Sequence, residues 1–323
     1  MKAALYEATG DSTVFSIREI DTPQPGPGEV RVRVGCSGVN PTDWKSRAGA
    51  TGRAPDGFQV PHQDGAGTID ALGEGVEDRA AGDRVWLYMA AFENRYGTAA
   101  EYSVLPATRT MPLPEGASFA LGASLGVPAL TAAHCLGGDP GALAGATVLV
   151  AGGAGAVGHY AIELAKQAGA SVIATVSSAA KGRLARAAGA DLVVNYRETD
   201  AIDRVKAFSP HVDRIVEVAL GANLDLDLAV SRPGTAIAVY ASEPSDPVIP
   251  TRRVMSANVA VQWVLLYGVP AAEIAAASAW VGDALAAGAL SELPIHSFPL
   301  ERIGEAQDAV QGGVTGKVLV LPG

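Results

Sequence analysis

The sequence predicts a two-domain α/β protein, in which a mostly-β domain is interrupted by a doubly wound parallel-sheet domain. Three observations carry this. The length, 323 residues, exceeds that of a usual single domain. Residues 1–126 hold short strand-like runs and little sustained helical period, whereas from 127 onward strand and helix candidates alternate strictly. Where the pattern has just changed, an apolar run of strand length meets a glycine-rich turn and an amphipathic helix, in Val148-Leu149-Val150-Ala151-Gly152-Gly153-Ala154-Gly155-Ala156-Val157-Gly158. The expected boundaries are 1–126, 127–266 and 267–323, the last segment returning to the first domain.

Taken in order, Glu29-Val30-Arg31-Val32-Arg33-Val34 alternates polar and apolar, the period of a half-buried strand. A proline- and glycine-rich segment, 23–28, precedes it as a rigid turn. Strands are expected at 67–72 and 84–88, with a short helical turn at 41–47. In the second domain, strands are predicted at 147–151, 171–176, 192–195, 213–218 and 236–240, and helices at 157–168, 179–188, 201–208 and 223–230. The apolar run 259–266 predicts a sixth strand, buried on both faces. An alanine-rich helix follows Pro270 and ends near Gly288. Strand 295–298, helix 301–311 and strand 317–321 close the chain. That tail is too small to bury a core alone, so it is expected to pack on the N-terminal domain.

Gly152, Gly155 and Gly158 follow a G-x-x-G-x-x-G spacing, with Gly153 adding a fourth glycine. Glycine permits the tight turn, admits a ligand close to the backbone and lets the helix pack near the strand. The first helical turn presents unpaired N–H groups and the positive dipole end, which suit a diphosphate. Gly152, Gly153, Ala154, Gly155, Ala156, Val157 and Gly158 are therefore the candidate dinucleotide-binding turn. The competing reading is a glycine-rich βα turn with no ligand; strand before and helix after favour the first.

Composition excludes several classes. Acidic residues outnumber basic ones 34 to 24, a formal charge of −10, which disfavours nucleic acid and anionic lipid as partners. Cys36 and Cys135, the only cysteines, make neither a disulfide framework nor a four-cysteine zinc lobe. The first residues lack a signal-peptide apolar core. The apolar stretch 259–290 is interrupted by Gln262, Pro270, Glu273 and Asp283, so no membrane span is expected. A soluble cytoplasmic protein is the expectation. No Gly-x-Ser-x-Gly elbow is present, which rejects a hydrolase reading of Ser124, His134 and Asp139.

Several stretches together resemble the medium-chain dehydrogenase/reductase superfamily, in its zinc-free quinone oxidoreductase (zeta-crystallin-like) branch. They are Gly38-Val39-Asn40-Pro41-Thr42-Asp43-Trp44-Lys45, Asp64-Gly65-Ala66-Gly67, Gly82-Asp83-Arg84-Val85-Trp86, Gly97-Thr98-Ala99-Ala100-Glu101-Tyr102, Leu130-Thr131-Ala132, the glycine turn, and the closing Gly316-Lys317-Val318-Leu319. The resemblance implies a GroES-like catalytic domain broken by an inserted Rossmann domain, with the active site in a cleft between them. Zinc-dependent relatives carry a cysteine ligand where this chain has Asn40 and a histidine where it has Gln63. His62 and Cys36, displaced from those places, do not make a compact ligand set, so no metal is expected. Cys36 then reads as a buried structural thiol and His62 as an ordinary loop histidine.

Without a Lewis acid the chemistry that fits is hydride transfer to a quinone or an α,β-unsaturated carbonyl, where charge delocalises onto oxygen. By resemblance Asn40 and Lys45 are the catalytic candidates and also face the cofactor. Asn40 would offer an amide N–H to substrate oxygen or water, and Lys45 would bind ribose hydroxyls or cofactor phosphate. Water or a ribose hydroxyl would supply the proton. Thr131 matches a family threonine near the nicotinamide, and Val239, Tyr240 and Ala241 line the cofactor side of the fifth strand's end. Trp263 and Tyr267 fit either a pocket wall or a subunit contact. The form Asn-Pro-Thr-Asp-Trp-Lys also looks like that of fungal trans-acting enoyl reductases, which makes an enoyl-thioester reductase the alternative. A catalytically lapsed NADPH-binding structural or regulatory protein, as among lens-protein relatives, is the alternative of another class. Relatives extend their sheets across a two-fold axis, so a homodimer through 259–266 is expected.

Cofactor choice is read at the end of the second parallel strand. NAD-selective domains place a carboxylate there for the ribose hydroxyls. Here the strand runs into Ser177-Ser178-Ala179-Ala180-Lys181, which offers hydroxyls and a cation to a 2′-phosphate. In the quinone oxidoreductase pattern Ser177, Lys181 and Tyr196 match phosphate-gripping positions, so the expected cofactor is NADPH.

Overall fold

The computed structural model describes residues 1–242 and 245–323, and the chain falls into two units, 1–127 with 292–323, and 128–291. In the first unit β1 (Lys2–Leu5) pairs antiparallel with β2 (Ser16–Glu19). There follow β3 (Glu29–Val39), α1 (Pro41–Arg47), β4 (Asp64–Leu72), β5 (Arg84–Leu87), β6 (Tyr102–Pro106) and β7 (Thr110–Pro112). Helix α2 (Phe119–Cys135) contains the division between the units. The second unit holds β8 (Thr147–Val150), α3 (Ala156–Gln167), β9 (Ser171–Val176), α4 (Ala179–Ala187), β10 (Leu192–Asn195) and α5 (Ala201–Phe208). It continues with β11 (Val212–Glu217), α6 (Leu220–Val230), β12 (Ser231–Val239), α7 (Thr251–Ala257), β13 (Ala260–Trp263) and α8 (Ala271–Ala286). The chain then re-enters the first unit with β14 (Ile295–Pro299), α9 (Ile303–Gln311) and β15 (Lys317–Leu321).

Alternation along β3 buries Val30, Val32 and Val34 on one face, each worth about 1.5–3 kcal/mol against exposure. Strands β14, β15, β3, β4, β5 and β7 lie in that order in one sheet, with β6 also paired to β3. The C-terminal strand enters this sheet directly, Val318 opposite Val39 in antiparallel register. Leu5, Val39, Val60, Leu300, Ile303, Val318 and Val320 share one core, so the two ends of the chain are packed together.

The second unit is a six-stranded, wholly parallel sheet in the order β10-β9-β8-β11-β12-β13. Counted from β8 this is the order 3-2-1-4-5-6 of the doubly wound Rossmann fold, which reverses direction between β8 and β11. Leu149, Ile173, Val194, Ile215 and Ile237 form its centre.

Four features depart from expectation. Helix α2 lies where little helical structure is predicted, because it is apolar on all sides and carries Pro128 inside, leaving no polar stripe to show a period. β1, β2, β6 and β7 are short strands without clear alternation. The sixth strand, β13, spans four residues rather than eight and lies at the sheet edge, with Trp263 62% and neighbouring Leu265 70% exposed, not buried on both faces. The return to the first unit falls after Ser291 rather than at 267, since α8 packs on α3, where Trp280 Nε1 donates to Gln167 Oε1 at 3.1 Å. No described helix is long and apolar enough to cross a membrane.

Candidate functional site

The glycine turn joins β8 to α3 at the point where the strand order reverses. Gly152 adopts φ +68°, a left-handed backbone that side chains disfavour, and Gly158 sits so close that a Cβ there would lie 2.4 Å from the Gly152 carbonyl oxygen. A Cβ on Gly153 would lie 2.8 Å from that of Ala174. A Cβ on Gly155, by contrast, would meet nothing closer than 3.4 Å, so the outer side of the turn is open. Gly155 is the N-cap of α3, and the first bond within the helix is His159 N–H to Gly155 C=O at 2.8 Å. The N–H groups of Ala156, Val157 and Gly158 precede that bond and are directed out of the helix end, a cradle for an anion.

The neighbouring strand ends bring the other predicted residues of this unit to the same edge of the sheet. Ser177 and Ser178 follow β9; Ser178 caps α4, its Oγ accepting Lys181 N–H at 3.3 Å. Tyr196 follows β10 and its N–H donates to Val176 C=O at 3.1 Å, which sets it beside the β9 tip. Its ring is 43% exposed and carries the Arg197 guanidinium at 5.9 Å, a second cation that the sequence reading passed over. No acidic residue lies between Val176 and Lys181. Val239 ends β12, and the N–H of Tyr240 donates to Glu217 C=O at 3.1 Å, so 239–241 adjoin the end of β11. Thr131 is buried inside α2, not at a helix end.

In the first unit the structure gives Asn40 a different setting from the one expected. Its backbone N–H donates to Asp43 Oδ2 at 2.7 Å, closing the start of α1. Its side-chain Nδ2 donates to Asp64 Oδ2 at 2.6 Å, and its Oδ1 accepts from Lys317 Nζ at 2.8 Å. Lys317 also lies 3.3 Å from Asp64 Oδ2, and all four residues are buried. One Nδ2 hydrogen and the Oδ1 of Asn40 are thus engaged with a buried ion pair. Burial and the charge of Asp64 push the Asp43 carboxyl up to about 8, so near neutrality one carboxylate, Asp64, faces one ammonium. Lys45, on α1, is half-buried, with its ammonium 5.9 Å from the Trp44 ring centre.

His62 is likewise not an ordinary loop histidine. It is 1% exposed with φ +78°, and burial, then Lys317, lowers its pKa to about 3, so it is neutral. A directed chain of bonds runs through it: Arg47 Nε to Gln307 Oε1 (2.8 Å), Gln307 Nε2 to His62 Nε2 (3.2 Å), and His62 Nδ1 to Ser37 Oγ (2.8 Å). Ser37 Oγ meets Thr98 Oγ1 at 2.8 Å, and Thr98 donates to the Asp64 carbonyl at 2.5 Å. Cys36 is half-buried rather than buried. Among the described residues no three His, Cys, Asp or Glu side chains come together as metal ligands.

Sequence profiles described as "Alcohol dehydrogenase GroES-like domain" and "Zinc-binding dehydrogenase" match residues 26–115 and 156–283. The quinone oxidoreductase of Rattus norvegicus is 30% identical over 98% of this chain and 96% of its own length. Among solved structures, an NAD-dependent alcohol dehydrogenase superposes with a TM-score of 0.87 at 28% identity, covering 100% of both chains. A mycobacterial protein solved in complex with NADPH gives 0.85 at 29%, again over 100% of both.

Proposed function

Because the chain belongs to the quinone oxidoreductase family of the medium-chain dehydrogenase/reductases, we propose that it is an NADPH-dependent reductase of quinones or other α,β-unsaturated carbonyls, working without a metal. The observation that carries this is the edge of the parallel sheet, where the glycine turn meets a β9 tip that offers two serines and a lysine in place of a carboxylate. The N–H groups of 156–158 hold the diphosphate, and Ser177, Ser178, Lys181 and Tyr196 hold the adenosine 2′-phosphate, with Arg197 adding charge. When bound, NADPH supplies the hydride. Thr131 and residues Val239, Tyr240 and Ala241 serve its nicotinamide end.

Asn40 is assigned to positioning rather than donation: clamped by Asp64 and Lys317, it fixes the start of α1 and so the place of Lys45. Lys45 is the member of that helix proposed to bind ribose or substrate oxygen. The name of the rat relative and the ligand of the mycobacterial one support the substrate class and the cofactor. The reading includes a homodimer formed through the exposed edge strand β13.

The test is oxidation of NADPH by purified protein in the presence of an ortho-quinone and a panel of enones, followed by the cofactor absorbance. Turnover of a quinone or enone is expected, and failure across the whole panel overturns the proposal. Faster turnover of an enoyl thioester makes the protein an enoyl-thioester reductase. Tight NADPH binding with no turnover of any acceptor makes it a lapsed, structural or regulatory member.

A further inference from the structure

Two carboxyls with no cation paired to them among the described residues lie behind the turn that joins β11 to α6. Glu217, the last residue of β11, is fully buried; its Oε1 accepts the N–H of Ala219 and the Nδ2–H of Asn223, the latter at 2.8 Å, and Val218 N–H adds a further bond. Asp227, on α6, is equally buried and its carboxyl meets that of Glu217 at hydrogen-bonding distance. Glu217 Oε2 and both Asp227 oxygens find no donor among the described residues. Two carboxylates so placed cannot both ionise, and one retained proton bridges the two groups. The N–H donors fix the negative charge on Glu217, so the proton resides on Asp227 and is donated to Glu217 Oε2.

The turn held in this way touches the glycine turn. A Cβ on Gly152 would lie 3.2 Å from Val218 Cγ1, and Tyr240, at the β12 tip, bonds the Glu217 carbonyl. We propose that Glu217 and Asp227 are a positioning pair for the dinucleotide, Asp227 holding Glu217 and Glu217 holding Val218 and Ala219 against Gly152. This rests on the NADPH reading given above. Neither residue touches the cofactor in this assignment; both act through the turn.

Asp227→Asn keeps a donor for Glu217 Oε2 but no titratable proton, whereas Asp227→Ala removes the donor. Hydrogen exchange of 217–223 and NADPH affinity by fluorescence, measured across pH, test the pair. In Asp227→Ala the turn should exchange faster and NADPH weaken by about tenfold, the scale of one unsatisfied buried acceptor. Asp227→Asn should restore both. Wild-type affinity should fall at alkaline pH as the shared proton is lost, and Asp227→Asn should not follow it; Tyr240 and Cys135, the other titratable groups acting in this pocket, are kept neutral by burial. Equal turn exchange in all three proteins overturns the inference. So does a loosened turn with unchanged affinity, or an identical pH profile for wild type and Asp227→Asn. A wild type that binds no NADPH overturns the cofactor reading itself, and the exchange data then decide separately whether the pair holds the turn.

Discussion

The ammonium of Lys317, on the last strand, donates to Oδ1 of Asn40, 277 residues earlier, at 2.8 Å. The same ammonium neutralises Asp64, which also accepts from Asn40 and from Val127 N–H. Removing the cation alone leaves a buried carboxylate uncompensated, a loss of about 3–5 kcal/mol. Lys317→Met should therefore lower the stability to urea by that order, and adding Asp64→Asn should recover part of it. A loss below about 1 kcal/mol, the size of an ordinary surface change, would show that the pair is not structural.

Stability should also fall between about pH 6.5 and pH 8. Asp43 is raised to about 8 in the folded chain, so between its unfolded value near 4 and pH 8 the native state holds the extra proton and stability falls as pH rises. His62 is lowered to about 3, so between there and about 6.5 the unfolded state holds the extra proton and stability rises. The two slopes, each up to about 1.4 kcal/mol per pH unit, oppose one another from about pH 4 to 6.5, above which His62 no longer offsets Asp43, and Asp227, whose carboxyl burial also raises, acts in the same direction. Urea unfolding across pH 6.5–8 should show the decline in the wild type and a clearly shallower one in Asp43→Asn.

The cation bound between Asn40 and Asp64 is an ammonium, which leaves that place nothing to offer a metal ion. Metal analysis after dialysis should find well under one zinc per chain, and a chelator should leave NADPH oxidation unchanged. Stoichiometric zinc, with activity lost on chelation, would overturn the metal-free chemistry.

Much of the parallel-sheet unit is legible because its apolar runs are short, α3, α4 and α5 are amphipathic, and the turns after β8 and β9 are marked by glycine and serine; Gly152, Ser178 and Tyr196 fall where their sequence neighbours place them. Helix α2 is not legible, since a segment buried all round shows no period. The setting of Asn40 is hidden for another reason. Its partners Asp64 and Lys317 stand in stretches that mark the family, yet nothing local in either says that a carboxylate and an ammonium will meet 253 residues apart in a buried place. Glu217 and Asp227 give no signal either: ten residues apart, they read as a strand end and one polar position of a helix.

The edge of the parallel sheet predicts assembly. Among the described residues β13 has a partner strand only on the β12 side, and Trp263 and Leu265 are large apolar side chains exposed beside it. A dimer is expected by light scattering at micromolar concentration, and Trp263→Glu should shift it to monomer without unfolding. A monomeric wild type would refute the homodimer.

Cofactor preference is decided at the β9 tip. Ser177 and Ser178 follow the strand, Lys181 lies one turn into α4, and Tyr196 adjoins them across the β9–β10 pair. A 2′-phosphate there meets hydroxyls and a cation, and no carboxylate follows the strand to repel it or to accept the ribose hydroxyls of NADH. A charged hydrogen bond is worth roughly 1.5–3 kcal/mol, which corresponds to about a 10- to 150-fold change in binding. Lys181→Ala should therefore weaken NADPH by that order and leave NADH nearly untouched, because NADH carries no 2′-phosphate to lose. Arg197, held over the exposed Tyr196 ring, softens the loss if it approaches the same phosphate, and Lys181→Ala with Arg197→Ala should then exceed either change alone. Equal losses for the two cofactors, or a wild-type preference for NADH, would place the selectivity elsewhere.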